Sequence, residues 1–291
     1  MHERREFMQT FKVPQLFAKD ENFLATSDNN IGIKFYKHSE NVRKANVVLD
    51  QNLIVFVLQG EKVIYHATKK FSIKPFEGAY LRRGQYLMSE SPFITHQYEA
   101  ILFFFKNELA ENYFIDKKIE HPKKRAVLKL QSNALIKGFL GSLNNYPKMI
   151  KSEDSNLLRL KFAELLHIVN KSNKDFSLQF WGEKYISGTD LQSLMQTNLT
   201  ENFSLEQFAF LADCSVSTFK RRFQEQFKQS PRNWITEKRL ELSAQILLKT
   251  DAKVNEVGDM VGYENSSHFI KLFRLRYGQS PLQYRLTQKQ H

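Results

Sequence analysis

The sequence predicts an α+β chain, with a β-rich N-terminal part, a helical stretch after it and an all-α C-terminal part. Three observations carry this. Short segments rich in Val, Ile, Phe and Tyr crowd the first 120 residues. Apolar residues at helical spacing run through about 122 to 173. Near the C-terminus, Phe219, Phe223, Phe227, Gln229, Ser230, Pro231 and Trp234 recur fifty positions on as Phe269, Phe273, Tyr277, Gln279, Ser280, Pro281 and Tyr284. A repeat this regular implies one structural unit built twice.

The strands come first in the chain. Val47 to Leu49, Leu53 to Leu58, Lys62 to His66, Phe71 to Ile73, Gly78 to Leu81, Gln85 to Met88 and His96 to Phe105 are punctuated by Gln59-Gly60, Pro75, Gly78 and Gly84. Many strands at close spacing without intervening helices predict a sandwich or small barrel. His38, His66, His96 and His121 are isolated from one another, whereas metal ligands must converge on one ion. No metal, cofactor or catalytic site is expected.

In the next stretch, Leu158, Phe162, Leu165, Leu166 and Val169 make one helical stripe, and Leu135, Phe139 and Leu143 a second, with a turn at Asn144-Asn-Tyr-Pro147 between them. Such faces either cover the β domain or pair two protomers, and the first stripe is the candidate dimerisation surface.

In the last third, aromatics at i, i+4 and i+8 predict helices over 216 to 228 and 266 to 277, each with one buried face. Ser204-Leu-Glu-Gln207 fits a capping box that opens a shorter helix, and Lys253 to Val261 carries the matching apolar positions. Asp213-Cys214-Ser215 and Gly262-Tyr-Glu-Asn-Ser266 break each pair, the second turn being one residue longer. Two helices joined this tightly form a helix-turn-helix, here over 204–228 and 253–277, whose second helix can enter a DNA major groove. Each stripe ends at Gln-Ser-Pro, where Ser caps and Pro opens the next helix. Pro231 to about Lys249 reads as one linker helix, roughly 27 Å long at 1.5 Å per residue. That spacing suits two reading helices about one DNA turn, roughly 34 Å, apart.

The faces opposite the aromatics show Ser217, Thr218, Lys220, Arg221 and Arg222 in the first unit. In the second they show Ser266, Ser267, His268, Lys271, Arg274 and Arg276. Arg and Lys can contact guanine O6 and N7 or phosphate, and small hydroxyl residues let a helix sit deep in the groove. Arg222, Arg232, Arg274 and Arg276 suit phosphate contact or structural pairing. From Asp190 on there are 14 Lys and Arg against 11 Asp and Glu, so only +3 of the chain's +12 lies here. Clustering matters more: Ser215 to Arg232 holds five basic residues and one acid, and Ser266 to Arg285 holds four and none.

The region from 190 to 286 resembles the DNA-binding domain of the AraC/XylS family of bacterial transcription regulators. The likeness rests on Ser230-Pro231-x-x-Trp234-x4-Arg239-Leu240, Val254-x-x-Val257-Gly258-x-x-Val261-Gly262-Tyr263 and Phe269-x3-Phe273-x3-Tyr277-Gly278-Gln279-Ser280-Pro281-x-x-Tyr284-Arg285. Gly258 and Ser243 stand where the family commonly has Ala, and Lys228 where it has Gly. A mid-helix Gly costs about 1 kcal/mol relative to Ala, so the second unit is expected to be the more yielding. The resemblance implies a cupin-like N-terminal β-barrel, although no cupin metal motif is present. It also implies double-stranded DNA and RNA polymerase as partners, activation of transcription, and pairing of protomers through the intermediate helices.

At 291 residues the chain has room for about two domains. The expected division is a cupin-like regulatory domain over 1–120, a helical cover or dimerisation region over 121–188 and a DNA-binding domain over 189–291. No apolar run approaches the roughly 18 residues needed to span a bilayer, and the N-terminus, with Glu3, Arg4, Arg5 and Glu6, lacks a signal-peptide core. A single cysteine excludes an internal disulfide and fits a reducing cytoplasm. Cys214 itself is expected to be a packed turn residue. The expected function is sequence-specific DNA binding, controlled through an N-terminal domain that takes a small effector or a regulatory protein. The rivals are a cupin-type enzyme and a partner-protein module that senses no small molecule.

Overall fold

The structure, a computed structural model, describes residues 10–67, 69–92, 97–114, 125–144, 146, 154–180 and 190–288. His96, His121, Glu3 to Glu6, and Asn145 and Pro147 of the expected turn lie outside these. The chain divides into two compact units, Met1–His66 with Lys70–Ser187 and Ala67–Lys69 with Gly188–His291.

The N-terminal unit contains β1 (Thr10–Val13), β2 (Phe23–Ala25), β3 (Ile31–His38), β4 (Val42–Leu49), β5 (Asn52–Gln59), β6 (Glu61–His66), β7 (Lys69–Ile73, at the division), β8 (Gly78–Leu81), β9 (Gly84–Ser91), β10 (Tyr98–Phe105) and β11 (Val127–Leu130). They form a five-stranded sheet in the order β1-β4-β9-β6-β7 and a six-stranded sheet in the order β11-β8-β5-β10-β3-β2. The register explains why β5 and β10 are almost continuously apolar. Leu53, Val55 and Val57 with Ala100, Leu102 and Phe104 enter the core shared with the five-stranded sheet. Ile54 and Phe56 with Ile101, Phe103 and Phe105 alternate onto the other face, under helices. A strand buried on both faces has no polar alternation to show.

That second face is covered by α1 (Asn107–Tyr113), α2 (Ala134–Ser142) and α3 (Ser155–Ser172). All five residues of the candidate dimerisation stripe are consumed here: Leu158, Phe162, Leu165, Leu166 and Val169 are buried in the same core as Phe103 and Phe105. Phe162 and Phe105 pack with ring centroids 4.9 Å apart. This corrects the pairing alternative for those residues, because exposing them to a partner would uncover the sheet. On α2 the buried face is Ile136, Phe139, Leu140 and Leu143, leaving Leu135 exposed. The stretch expected to be helical from about 122 also contains β11, paired with β8.

The C-terminal unit contains α4 (Leu191–Thr197), α5 (Leu205–Leu211), α6 (Val216–Phe227), α7 (Pro231–Lys249), α8 (Val254–Met260), α9 (Ser266–Tyr277) and α10 (Pro281–Gln288). Helix boundaries follow their caps. Ser204 Oγ accepts from Gln207 N at 3.2 Å while Gln207 Oε1 accepts from Ser204 N at 2.9 Å. Ser215, Ser230, Asn265 and Ser280 cap α6, α7, α9 and α10 by accepting from Thr218 N, Asn233 N, His268 N and Gln283 N.

The repeated aromatics build the same joint twice. Phe223 meets Trp234 edge to face at 6.0 Å and 80°, and Phe273 meets Tyr284 at 5.4 Å and 79°. Gly258 is buried, and a Cβ there would sit 3.1 Å from Phe269 Cδ1. The missing methyl thus admits the Phe269 ring, which offsets the expected loss of helix propensity.

Candidate nucleic-acid interface

Each reading helix is presented by a turn of fixed form. Cys214 N donates to Ala209 O at 3.1 Å, and Tyr263 N donates to Gly258 O at 3.0 Å. Asp213 at φ 52 and Gly262 at φ 89 occupy the left-handed position in each turn. Up to that point the two copies are offset by forty-nine residues, whereas the caps Ser215 and Asn265 are offset by fifty. Glu264 is therefore the extra residue of the second turn.

Phe219 and Phe223 are fully buried, as are Phe269 and Phe273. This turns the opposite sides of α6 and α9 outward. On α6, Ser217, Lys220 and Arg221 are exposed along one stripe at i, i+3 and i+4. Thr218 is half-buried and Arg222 exposed beside them, and Arg232 is exposed at the start of α7. On α9, Ser267, Lys271 and Arg274 form the equivalent stripe, with His268 exposed beside it and Ser266 half-buried at the first turn. Exposed Gln224 extends the first stripe by one turn. Its signal in the sequence is the fifty-residue echo, which pairs this amide, absent from the basic candidates, with Arg274. Exposed Ile270 similarly faces outward on the second stripe, at the position of Lys220.

Not every basic residue belongs to this surface. Arg276 Nη2 lies 3.5 Å from Glu237 Oε1 on α7, and Arg285 donates to Leu247 O and Ala252 O at 3.0 and 2.6 Å. Arg285 is tied to structure, whereas exposed Arg276 makes only a loose pair with α7. Arg221 and Glu225 approach only to 3.7 Å, with both side chains more than 60% exposed, so this pair leaves Arg221 available. Cys214 is half-buried; burial pushes its thiol up, partly opposed by neighbouring Arg222. That favours the protonated, packed form over a reactive thiolate. Ser243 is fully buried and donates to Leu240 O at 2.8 Å, so its hydroxyl is satisfied within α7.

Among the described residues, no group of three His, Cys, Asp or Glu side chains could hold a metal ion, and no helix is long and apolar enough to cross a membrane. Two cationic, hydroxyl-bearing helix faces on repeated scaffolds can instead present donors to phosphates and base edges.

Comparison with known proteins agrees with this geometry. The family model for the ExsA N-terminal regulatory domain matches residues 52–180, and that for a helix-turn-helix domain matches residues 208–287. The chain is therefore similar to transcription regulators with a helix-turn-helix domain. The virulence regulon transcriptional activator VirF of Yersinia enterocolitica is 29% identical over 152 residues, 50% of this chain and 55% of VirF. The HTH-type transcriptional regulator ExsA of Pseudomonas aeruginosa is 22% identical over 241 residues, 78% of this chain and 84% of ExsA. The dual transcriptional regulator Rns of Escherichia coli is 20% identical over 272 residues, 86% of this chain and 96% of Rns. The matched part of the chain spans about half the length of VirF.

Proposed function

We propose that the chain is a sequence-specific DNA-binding transcription regulator that lays α6 and α9 into two successive major-groove segments. The observation that carries this is the exposed stripe of Ser217, Lys220, Arg221 and Gln224, set opposite the buried Phe219 and Phe223. Lys220 and Arg221 read guanine, and Arg222 and Arg232 hold phosphate. In the second unit Ser267, His268, Lys271 and Arg274 make the contacts, a poorer set of cations suited to an asymmetric site. Activation is supported by the name borne by VirF, a transcriptional activator, and RNA polymerase is the partner that activation of transcription requires. Control through the N-terminal unit is supported by its match to a regulatory domain.

Selection from a random duplex library, followed by footprinting, tests the reading. The expected result is one enriched site protected in two segments about one helical turn apart on one face. Absence of any enriched duplex, or an Arg221→Ala variant with unchanged footprint and affinity, overturns it.

A further inference from the structure

We propose that α9 reads thymine through Ile270, whose side chain packs on the C5-methyl group in the major groove, a role that rests on the DNA-binding reading above. The fifty-residue echo puts Ile270 where the first unit has Lys220, and Leu275 where it has Glu225. Both side chains are exposed, Ile270 by 37% and Leu275 by 83%. Single apolar residues on a surface are ordinary, so position must decide. Ser267, Ile270 and Arg274 follow one another at i, i+3 and i+7 with Lys271 beside them, which sets Ile270 within the exposed cationic stripe. It lies in the first half of α9, the half that meets base edges in a helix-turn-helix. The buried rings of Phe269 and Phe273 fix the rotation of the helix and hold that stripe outward.

A duplex drawn to Lys271 and Arg274 therefore also meets Ile270. Isoleucine offers no donor and no acceptor. Set against guanine, adenine or cytosine it would strip water from N7, O6 or an amino group and return no hydrogen bond. Thymine alone presents a methyl group on the major-groove edge. Lys220, at the same place in the first unit, suits guanine O6 and N7 instead. The two units thus differ in kind, one reading guanine through cations and the other reading thymine through hydrocarbon. The exchange of Glu225 for Leu275 fits this division, because it leaves α9 without an acid.

The test titrates the full chain, by fluorescence anisotropy, with the duplex enriched by selection and with copies in which each thymine in turn is replaced by deoxyuridine, which lacks only the methyl group. One replacement is expected to weaken wild-type binding about fourfold, the worth of burying one methyl-sized group. Ile270→Ala, its fold checked by circular dichroism, is expected to bind that copy and the thymine duplex alike. Ile270→Lys is expected to move preference at the same base pair towards G·C, as Lys220 does in the first unit. Lys220→Ala is expected to keep the methyl effect. Failure to enrich any duplex overturns the DNA-binding reading and the thymine assignment with it. An enriched duplex on which every deoxyuridine copy binds as tightly as the thymine duplex, or a methyl effect undiminished in the Ile270 variants, overturns the thymine assignment alone.

Discussion

Arg239 donates from Nη1 to the carbonyl of Gly262 at 2.8 Å, fastening α7 to the turn of the second helix-turn-helix. Its Nε and Nη2 donate to Leu199 O and Glu201 O at 2.8 and 2.9 Å, which ties the approach to the first unit to the same guanidinium. Burial holds the Arg239 pKa below its ordinary value, yet the guanidinium stays charged because arginine starts so high.

Removing this clamp leaves three carbonyls without that donor. Arg239→Met is expected to cost about 3 kcal/mol in urea denaturation of the full chain. Gly262→Ala tests the same joint from the other side: at φ +89 its Cβ would fall 2.4 Å from Thr200 O. Wild-type stability in both variants would show that the clamp is ornamental.

Lys228 ends α6 in the left-handed conformation at φ 57, where Gly278 ends α9 at φ 74. A side chain pays in strain there, whereas glycine does not. Lys228→Gly is expected to raise stability by about 0.5 to 1 kcal/mol, and Gly278→Ala to lower it by about 1 kcal/mol. Nothing lies within 4 Å of a Cβ at Gly278, so that cost is conformational alone. Unfolding midpoints of the two variants moving in opposite directions check it.

The reading helices were legible because aromatic spacing and caps such as Ser215 and Ser230 are local signals. The strands from β4 to β10 are legible for the same reason: β8 at both its ends, β10 with an expected start at His96 two residues before Tyr98, and the other five one to five residues short at an end. What escaped depended on distant partners. β3 and β11 are strands through pairing with β10 and β8, and a stretch such as Val127 to Leu130 is too short to declare its period. The fate of Leu158 to Val169 was likewise undecidable locally, since an apolar stripe looks the same whether a sheet or a second protomer covers it. Arg285 counts among the basic residues of the second cluster in sequence, and only the carbonyls it reaches in the fold show its structural role.

Gln224 supplies a prediction that basic residues alone do not. Gln pairs with adenine N6 and N7, each good bidentate contact discriminating by about 1 to 3 kcal/mol. Gln224→Ala is therefore expected to relax preference at one adenine of the first half-site, while Arg221→Ala relaxes a different position. Binding to single-base variants of the selected duplex separates the two. Identical specificity profiles for both variants would remove Gln224 from base readout.

The buried ion pair of Lys62 and Glu90 in the N-terminal unit predicts how that unit meets acid. Burial by itself pushes the Glu90 carboxyl up, but Lys62 and the hydrogen bonds from His38 and Lys62 more than offset this and hold it well below its ordinary value of 4.5. A carboxyl depressed on folding stabilises fully above its unfolded value, and the contribution is lost as pH falls through the folded one. The wild-type chain is therefore expected to lose stability below about pH 4.5. Replacing both members, Lys62→Met with Glu90→Met, removes the linkage, so stability relative to wild type should rise steadily as pH falls from 5 towards 2. Denaturant midpoints across about pH 2 to 7 read this difference. A flat difference across that range would mean that Glu90 carries the same charge state in the folded and unfolded chain.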